Sequence, residues 1–285
     1  MVDLLQSIVT NIRSLAPFPQ VATTVLDITA RPSVTSQQLI KVIQTDPGLT
    51  GKVLKLCNSA YYGFQREIAS LEEAGTLLGA PTLTSLVLPS CAPNYFQEVR
   101  PANDRLNASG WQDAVTTAIA SRLVASTTGR VDPERAYTAG LLLNVGELIL
   151  DRHCKRGLDQ VQHQVRQGSP RILAEKAIIG ISHAEIGARL ATRWMLPQVL
   201  IDTIRCHHAP ERATQDPSLT AAVHLAEALA LHTQANKPGQ DDRINSPFPI
   251  SEFAWQRADM LPQDLLKLRS PLTAELAQVE NQLAA

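Results

Sequence analysis

Apolar residues recur at helical spacing along almost the whole chain. Near the start, Leu4, Ile8, Ile12 and Leu15 fall at steps of four, four and three, which is one face of a helix. Strict alternation of apolar and polar residues, the mark of a half-buried strand, is scarce. Capping residues punctuate the pattern. Thr35 with Gln38, Ser70 with Glu73, and Ser182 with Glu185 have the capping-box spacing. Asp46-Pro47, Asp132-Pro133, Ser169-Pro170 and Asp216-Pro217 each set a capping side chain before a proline suited to the first helical position. Gly63, Gly79 and Gly180 are predicted stops. Together these signals predict about a dozen helices and an all-α fold.

The pattern breaks twice. Pro93, Pro101 and polar neighbours interrupt it across Cys91–Ser109, after which a long helix opens at Trp111. The stretch TQANKPGQDDRINSPFP, Thr233–Pro249, is polar, proline-rich and aperiodic, and is predicted as a loop. Helical periodicity returns over Pro262–Ala285. Aromatic residues are only 4% of the 285, which also disfavours a sheet-rich fold. The net charge is −1, so no bulk basic field draws nucleic acid or anionic membrane. Cys57, Cys91, Cys154 and Cys206 are scattered and form no CxxC pair, as expected of reduced thiols. The amphipathic N-terminus is not a signal peptide, and no apolar run approaches the roughly 20 residues that span a bilayer. The expected location is the cytoplasm.

Several long segments carry a family likeness. They are PFPQVATTVLDI, VIQTDPGLTGKVLKLCNSAYYGF and ASLEEAGTLLG in the first half, then LLLNVGELIL and IIGISHAEIGARLATRWMLPQVLIDTIRCHH. The ordered set resembles the HDOD family, bacterial signalling relatives of the HD-domain phosphohydrolases, over roughly Leu15 to Ala230. The resemblance implies an all-α fold with an N-terminal helical subdomain packed on an HD-like helical bundle. On that basis residues 1–105 are the subdomain, 106–232 a degenerate HD-like bundle, and 233–285 a loop and C-terminal helical extension.

An active HD enzyme holds divalent metal through His and Asp ligands converging from several helices. Carried over by position, the family's early His is Asp113, its His-Asp pair is Leu143-Asn144, and its late Asp is Glu227. His183 and the pair His207-His208 remain. Leu143 has no donor atom, and Asn144 offers a neutral amide where a bridging carboxylate is needed. The resemblance therefore implies an eroded site with no catalytic residue assigned. His183, His208, Glu227 and Asp113 are the residual metal candidates, and such a set suits a transition metal better than Mg²⁺. Beyond that metal no cofactor is expected. Helix neighbours point about 100° apart, so His207 and His208 are not expected to share one ion. The same residues have structural readings: His183 in a first helical turn, His207-His208 at a helix C-terminus, Glu227 paired with His224, and Asp113 in a solvated first turn.

Asn58, Tyr61 and Tyr62 form a polar, aromatic helix end that reads as an internal contact or as an interaction surface. Arg122, Arg189, Arg193 and Arg205 fall on helices that would surround the former cleft, and arginine forks suit phosphates. The expected function is a non-catalytic signal-transduction module. It would act through a signalling protein partner or self-association, with a nucleotide effector as an open reading. The alternative is a divergent metal-dependent phosphohydrolase acting on a nucleotide or phosphodiester.

Overall fold

A computed structural model describes residues 20–29, 34–58, 62, 64, 68–99, 109–235 and 248–284. Every regular element among them is helical: fifteen α-helices and one short 3₁₀ turn. The N-terminal periodic stretch Leu4–Leu15 and residues 236–247 of the polar loop lie outside the described residues, as do Tyr61 and Gly63.

The first layer contains α1 (Gln20–Thr29), α2 (Ser36–Ile43), α3 (Pro47–Cys57) and α4 (Leu71–Val99). Capping chemistry starts these helices where the sequence places it. Thr35 and Gln38 close a reciprocal capping box, and Asp46 accepts from the Leu49 N–H at 3.0 Å with Pro47 at the first position. Gly79 (φ 75°) breaks α4 internally instead of ending it. Leu39, Ile43, Val53, Ile68, Leu83 and Val87 fill the core of this layer. Asn58 is a clamp inside it: its amide donates to Leu54 and Ile68 carbonyls, and its Oδ1 accepts from the Ile68 N–H. Tyr62 stacks on Phe64 with centroids 6.3 Å apart.

The larger layer is built on α5 (Ser109–Thr128), α6 (Pro133–Leu142), α7 (Val145–His153), α8 (Lys155–Arg166) and α9 (Arg171–Ile178), followed by α10 (His183–Arg193), α11 (Gln198–Cys206) and α12 (Pro217–Ala235). Leu141, Leu142, Leu143, Ile149 and Leu150 are fully buried in its core. Each such side chain contributes roughly 1.5–3 kcal/mol by leaving water. Helix α1 joins the layers, with Val25 in the first core and Ala22 and Leu26 in the second. The C-terminal helices α13 (Glu252–Ala258), α14 (Pro262–Lys267) and α15 (Arg269–Ala284) pack on the second layer. Ala254, Leu265 and Leu272 enter its core, and Glu275 pairs with Arg122 at 2.7 Å. Burial holds the Cys57 and Cys154 thiols protonated, pushed up to about 11.

The stretch LLLNVGEL is not one continuous helix. Helix α6 ends at Leu142, Leu143 and Asn144 form a turn, and α7 starts at Val145. The turn lets α7 cross α10 at very short range. A Cβ on Gly146 would strike the His183 carbonyl and lie 2.7 Å from the Gly187 nitrogen. Glycine is needed there because the neighbour is backbone and cannot rotate away. This crossing seats the first turn of α10, and with it His183.

Among the described residues no helix is long and apolar enough to cross a membrane.

Candidate functional site

Three imidazoles converge in the second layer. His183, His207 and His208 each offer a ring nitrogen, and these atoms lie within 4.8 Å of one another. Ser182 caps α10 in a capping box with Glu185, so His183 occupies the first helical position and points inward. His207 and His208 follow the last residue of α11 and lie in a turn. That placement corrects the expectation from helical geometry. Although His207 keeps helical backbone angles as the C-cap, the two rings stand with centroids 4.1 Å apart and each lies against His183.

The hydrogen-bond partners fix the ring protons. Glu175 Oε2 accepts from His183 Nδ1 at 2.7 Å and from the His183 N–H at 2.8 Å. A carboxylate only accepts, so Nδ1 carries the proton and Nε2 keeps its lone pair in the neutral ring. His207 Nδ1 donates to the Ile204 carbonyl at 2.7 Å, which leaves its Nε2 bare in the same way. These two Nε2 atoms face each other at 3.3 Å, and His208 Nε2 lies 3.1 Å from that of His183. Imidazole nitrogens at 2.0–2.1 Å from one tetrahedral ion sit about 3.3 Å apart. The His183–His207 and His183–His208 spacings therefore match those of ligands around a shared cation. The Glu175–His183 pair and the carbonyl on His207 are the outer partners that orient metal-bound histidines.

Glu227 completes the ring of groups. Its Oε1 accepts from Asn144 Nδ2 at 3.0 Å, and its Oε2 lies 4.0 Å from both His207 Nε2 and His208 Nδ1. Glu227 Oε2 and Asn144 Oδ1 are buried without a hydrogen-bond partner. Buried polar atoms are normally satisfied, so these two orphans in a core that also holds the bare His183 and His207 Nε2 atoms fit a site for a cation. The donor set, three imidazoles and a carboxylate, suits a transition metal.

Electrostatics agree with the packing. Burial pushes Glu227 up to about 7 against the opposing Asn144 hydrogen bond. Burial, then the neighbouring His183, takes His207 down to about 3; burial and the adjacent rings also hold His208 well below its usual value. Burial also opposes charge on His183, but the hydrogen bond and charge of Glu175 outweigh it and raise this imidazole. For Glu175 itself burial works upward, yet His183 and Arg171 take it down to about 2.

Phe248, near the end of the stretch predicted as a loop, packs on the His208 side of the cluster. The Phe248 ring stands edge-on to His208 at 4.9 Å and lies 5.1 Å from His224. His224 Nδ1 donates to the His207 carbonyl at 2.6 Å, and its Nε2 accepts from the Ser251 N–H at 3.0 Å. One imidazole thus ties the His207 turn to the C-terminal segment. Glu227 is bonded to Asn144 instead of to His224.

Of the sequence candidates, His183, His208 and Glu227 come together, with His207 added. Asp113 does not join them; it is exposed on α5 and accepts from Gln234 at 2.8 Å. Leu143 is fully buried packing. Arg122 is engaged by Glu275 and lies over the Tyr137 ring, while Arg189, Arg193 and Arg205 are exposed. Sequence reasoning missed Glu175, whose one signal is a lone acid inside the apolar run ILAEKAII. It also missed Arg171, whose Nε donates to Glu175 at 2.9 Å while its guanidinium pairs with Glu147 at 3.0 Å.

Comparison with known proteins gives consistent matches. The family model described as HDOD domain matches residues 15–210. An uncharacterized protein of Treponema pallidum (strain Nichols) is 30% identical over 202 residues, covering 68% of this chain; the chain spans only 39% of that relative's length. An HDOD domain protein of unknown function from Geobacter sulfurreducens superposes with a TM-score of 0.79 at 23% identity, covering 98% of this chain and 97% of that one. A Shewanella amazonensis SB2B protein, provisionally named a phosphohydrolase, has a TM-score of 0.66 at 25% identity, with 93% and 97% covered. A Marinobacter aquaeolei VT8 protein provisionally named for signal transduction has a TM-score of 0.76 at 18% identity, with 99% and 65% covered.

Proposed function

The chain belongs to the HDOD domain family, and on that footing we propose that it is a signal-transduction module that works by binding, not by turnover. In this reading His183, His207, His208 and Glu227 hold one divalent transition metal as a brace in the core. The observation that carries it is the convergence of bare imidazole nitrogens on an orphaned carboxylate oxygen within a covered site. Structural metal sites are closed by protein ligands, whereas catalytic ones keep a position open for water or substrate. Here Phe248 covers the rings, Leu143 supplies no ligand, and Asn144 orients Glu227.

When bound, the metal would supply positive charge for four converging donors and so lock α10, the His207 turn and α12 together. Glu175 holds the His183 proton on Nδ1, and the Ile204 carbonyl does the same for His207, so both Nε2 atoms stay available. A covered, braced core leaves helical surfaces as the working parts, which implies a protein partner or self-association.

The test is elemental analysis of protein purified without chelator, together with a phosphodiester hydrolysis assay. The expected result is about one transition metal per chain. It should be lost in His183→Ala and His207→Ala, with no turnover above background. Turnover that disappears in those variants would favour the phosphohydrolase reading, which the provisional name of the Shewanella amazonensis relative also raises.

A further inference from the structure

A second site lies on the far side of Glu175. Helices α7, α8 and α9 enclose a half-open cavity of about 390 Å³. Its cations are Lys155, Arg166 and Arg171. Among the described residues Lys155 and Arg166 carry no ion pair, while Arg171 is held by Glu147 and Glu175. Two unpaired cations and a guanidinium on one concavity suit a phosphate, whose oxygens arginine forks grip in pairs. Its apolar lining is Leu158, Val161 and Val165, spaced three and four residues apart on α8. An apolar lining favours an organic body over a bare ion, and the volume falls within the range of small-molecule sites. Asp151 and Asp159 also line it and accept hydrogen bonds, which suits a hydroxyl or amine on that body and limits the site to one phosphate.

Arg171 gives the cavity a line to the core. Its side chain is 41% exposed at the cavity, yet it contacts Glu175, which is fully buried. The opposite oxygen of Glu175 grips His183 Nδ1 at 2.7 Å. A phosphate on Arg171 competes with Glu147 and Glu175 for the same guanidinium. The carboxylate that orients His183 then responds to what occupies the cavity.

We propose that this cavity is an effector site for a small organic phosphate monoester, and that Arg171 passes its occupancy through Glu175 to His183. The test is calorimetric titration of the full chain, as purified, with adenosine monophosphate, glucose 6-phosphate and inorganic phosphate. Metal content is measured on the same sample, so absence of metal and absence of ester binding are separate results. At least one ester should bind saturably, about tenfold tighter than inorganic phosphate. Lys155→Ala and Arg166→Ala, both surface changes, should weaken it severalfold with the thermal unfolding profile unchanged. Long-range proton–nitrogen spectra of the His183 ring should shift on saturation. No saturable ester binding, or binding that both variants leave intact, overturns the site. Saturation that leaves the His183 signals unmoved overturns the link through Arg171.

Discussion

Asn144 and Glu227 are 83 residues apart in the chain, and their side chains meet in the core with the amide donating at 3.0 Å. The contact leaves Asn144 Oδ1 and Glu227 Oε2 without partners, the latter 4.0 Å from His207 Nε2 and His208 Nδ1. An amide at position 144 lets a single buried carboxylate exist there with one firm hydrogen bond.

Asn144→Asp tests that balance. Two buried carboxylates would share one site, and like charges that close cannot both ionise without a large penalty. The metal-free variant should lose about 2–4 kcal/mol, and added Zn²⁺, Co²⁺ or Mn²⁺ should return much of it. Adding Leu143→His should lower stability further, since Leu143 is fully buried. Denaturant titrations with and without metal read both effects. Parental stability in the metal-free variants would mean that the region is open and wet.

Stability of the chelated protein should depend on pH through Glu227. In the core this carboxyl keeps its proton up to about 7, against 4.5 in an exposed chain, because burial disfavours its charge. Between those values this one group binds more protons folded than unfolded, so its contribution to stability falls as pH rises and is gone above 7, while His207 and His208, held below their usual range, contribute the opposite slope. The full effect is on the order of 3 kcal/mol. Glu227→Gln should remove this contribution, so the stability of the parent relative to the variant should fall from pH 4.5 to 7, and saturating metal should suppress that difference. Urea midpoints from pH 4.5 to 8 give the comparison.

The α7–α10 crossing makes unequal demands on its two glycines. A Cβ on Gly146 meets the His183 carbonyl, which is backbone; one on Gly187 meets the Ile204 Cγ2 at 2.9 Å, the end of a side chain. Gly146→Ala should cost about 3 kcal/mol or more or prevent folding, while Gly187→Ala should cost about 1–2 kcal/mol. Similar unfolding curves for the two variants would contradict the crossing geometry.

Phe248 stands beside His208, the one histidine of the cluster that is not fully buried. Its ring packs on His208 and His224. Phe248→Ala should leave metal content near that of the parent but raise the rate at which a chelator removes the metal. Stopped-flow transfer to a coloured chelator measures this. Unchanged release would show that metal exchanges by another route.

Much of the architecture follows from local chemistry. Helical periodicity, the Thr35 and Ser182 capping boxes, and the Asp46, Asp132 and Asp216 caps act within one turn of chain, so sequence alone determined the all-α class and most helix starts. The long likeness over roughly Leu15 to Ala230 likewise pointed to the family, whose model matches residues 15–210. Sequence also singled out His183, His208 and Glu227. It could not determine that His207 faces the same point as His208, because that depends on how the end of α11 packs against His183 and on the bond from His207 Nδ1 to the Ile204 carbonyl. Nor could it place Glu175 behind His183, Asn144 on Glu227, or Phe248 over the rings. Those relations join distant residues through helix packing, where backbone approach at Gly146 and burial in a shared core set the geometry.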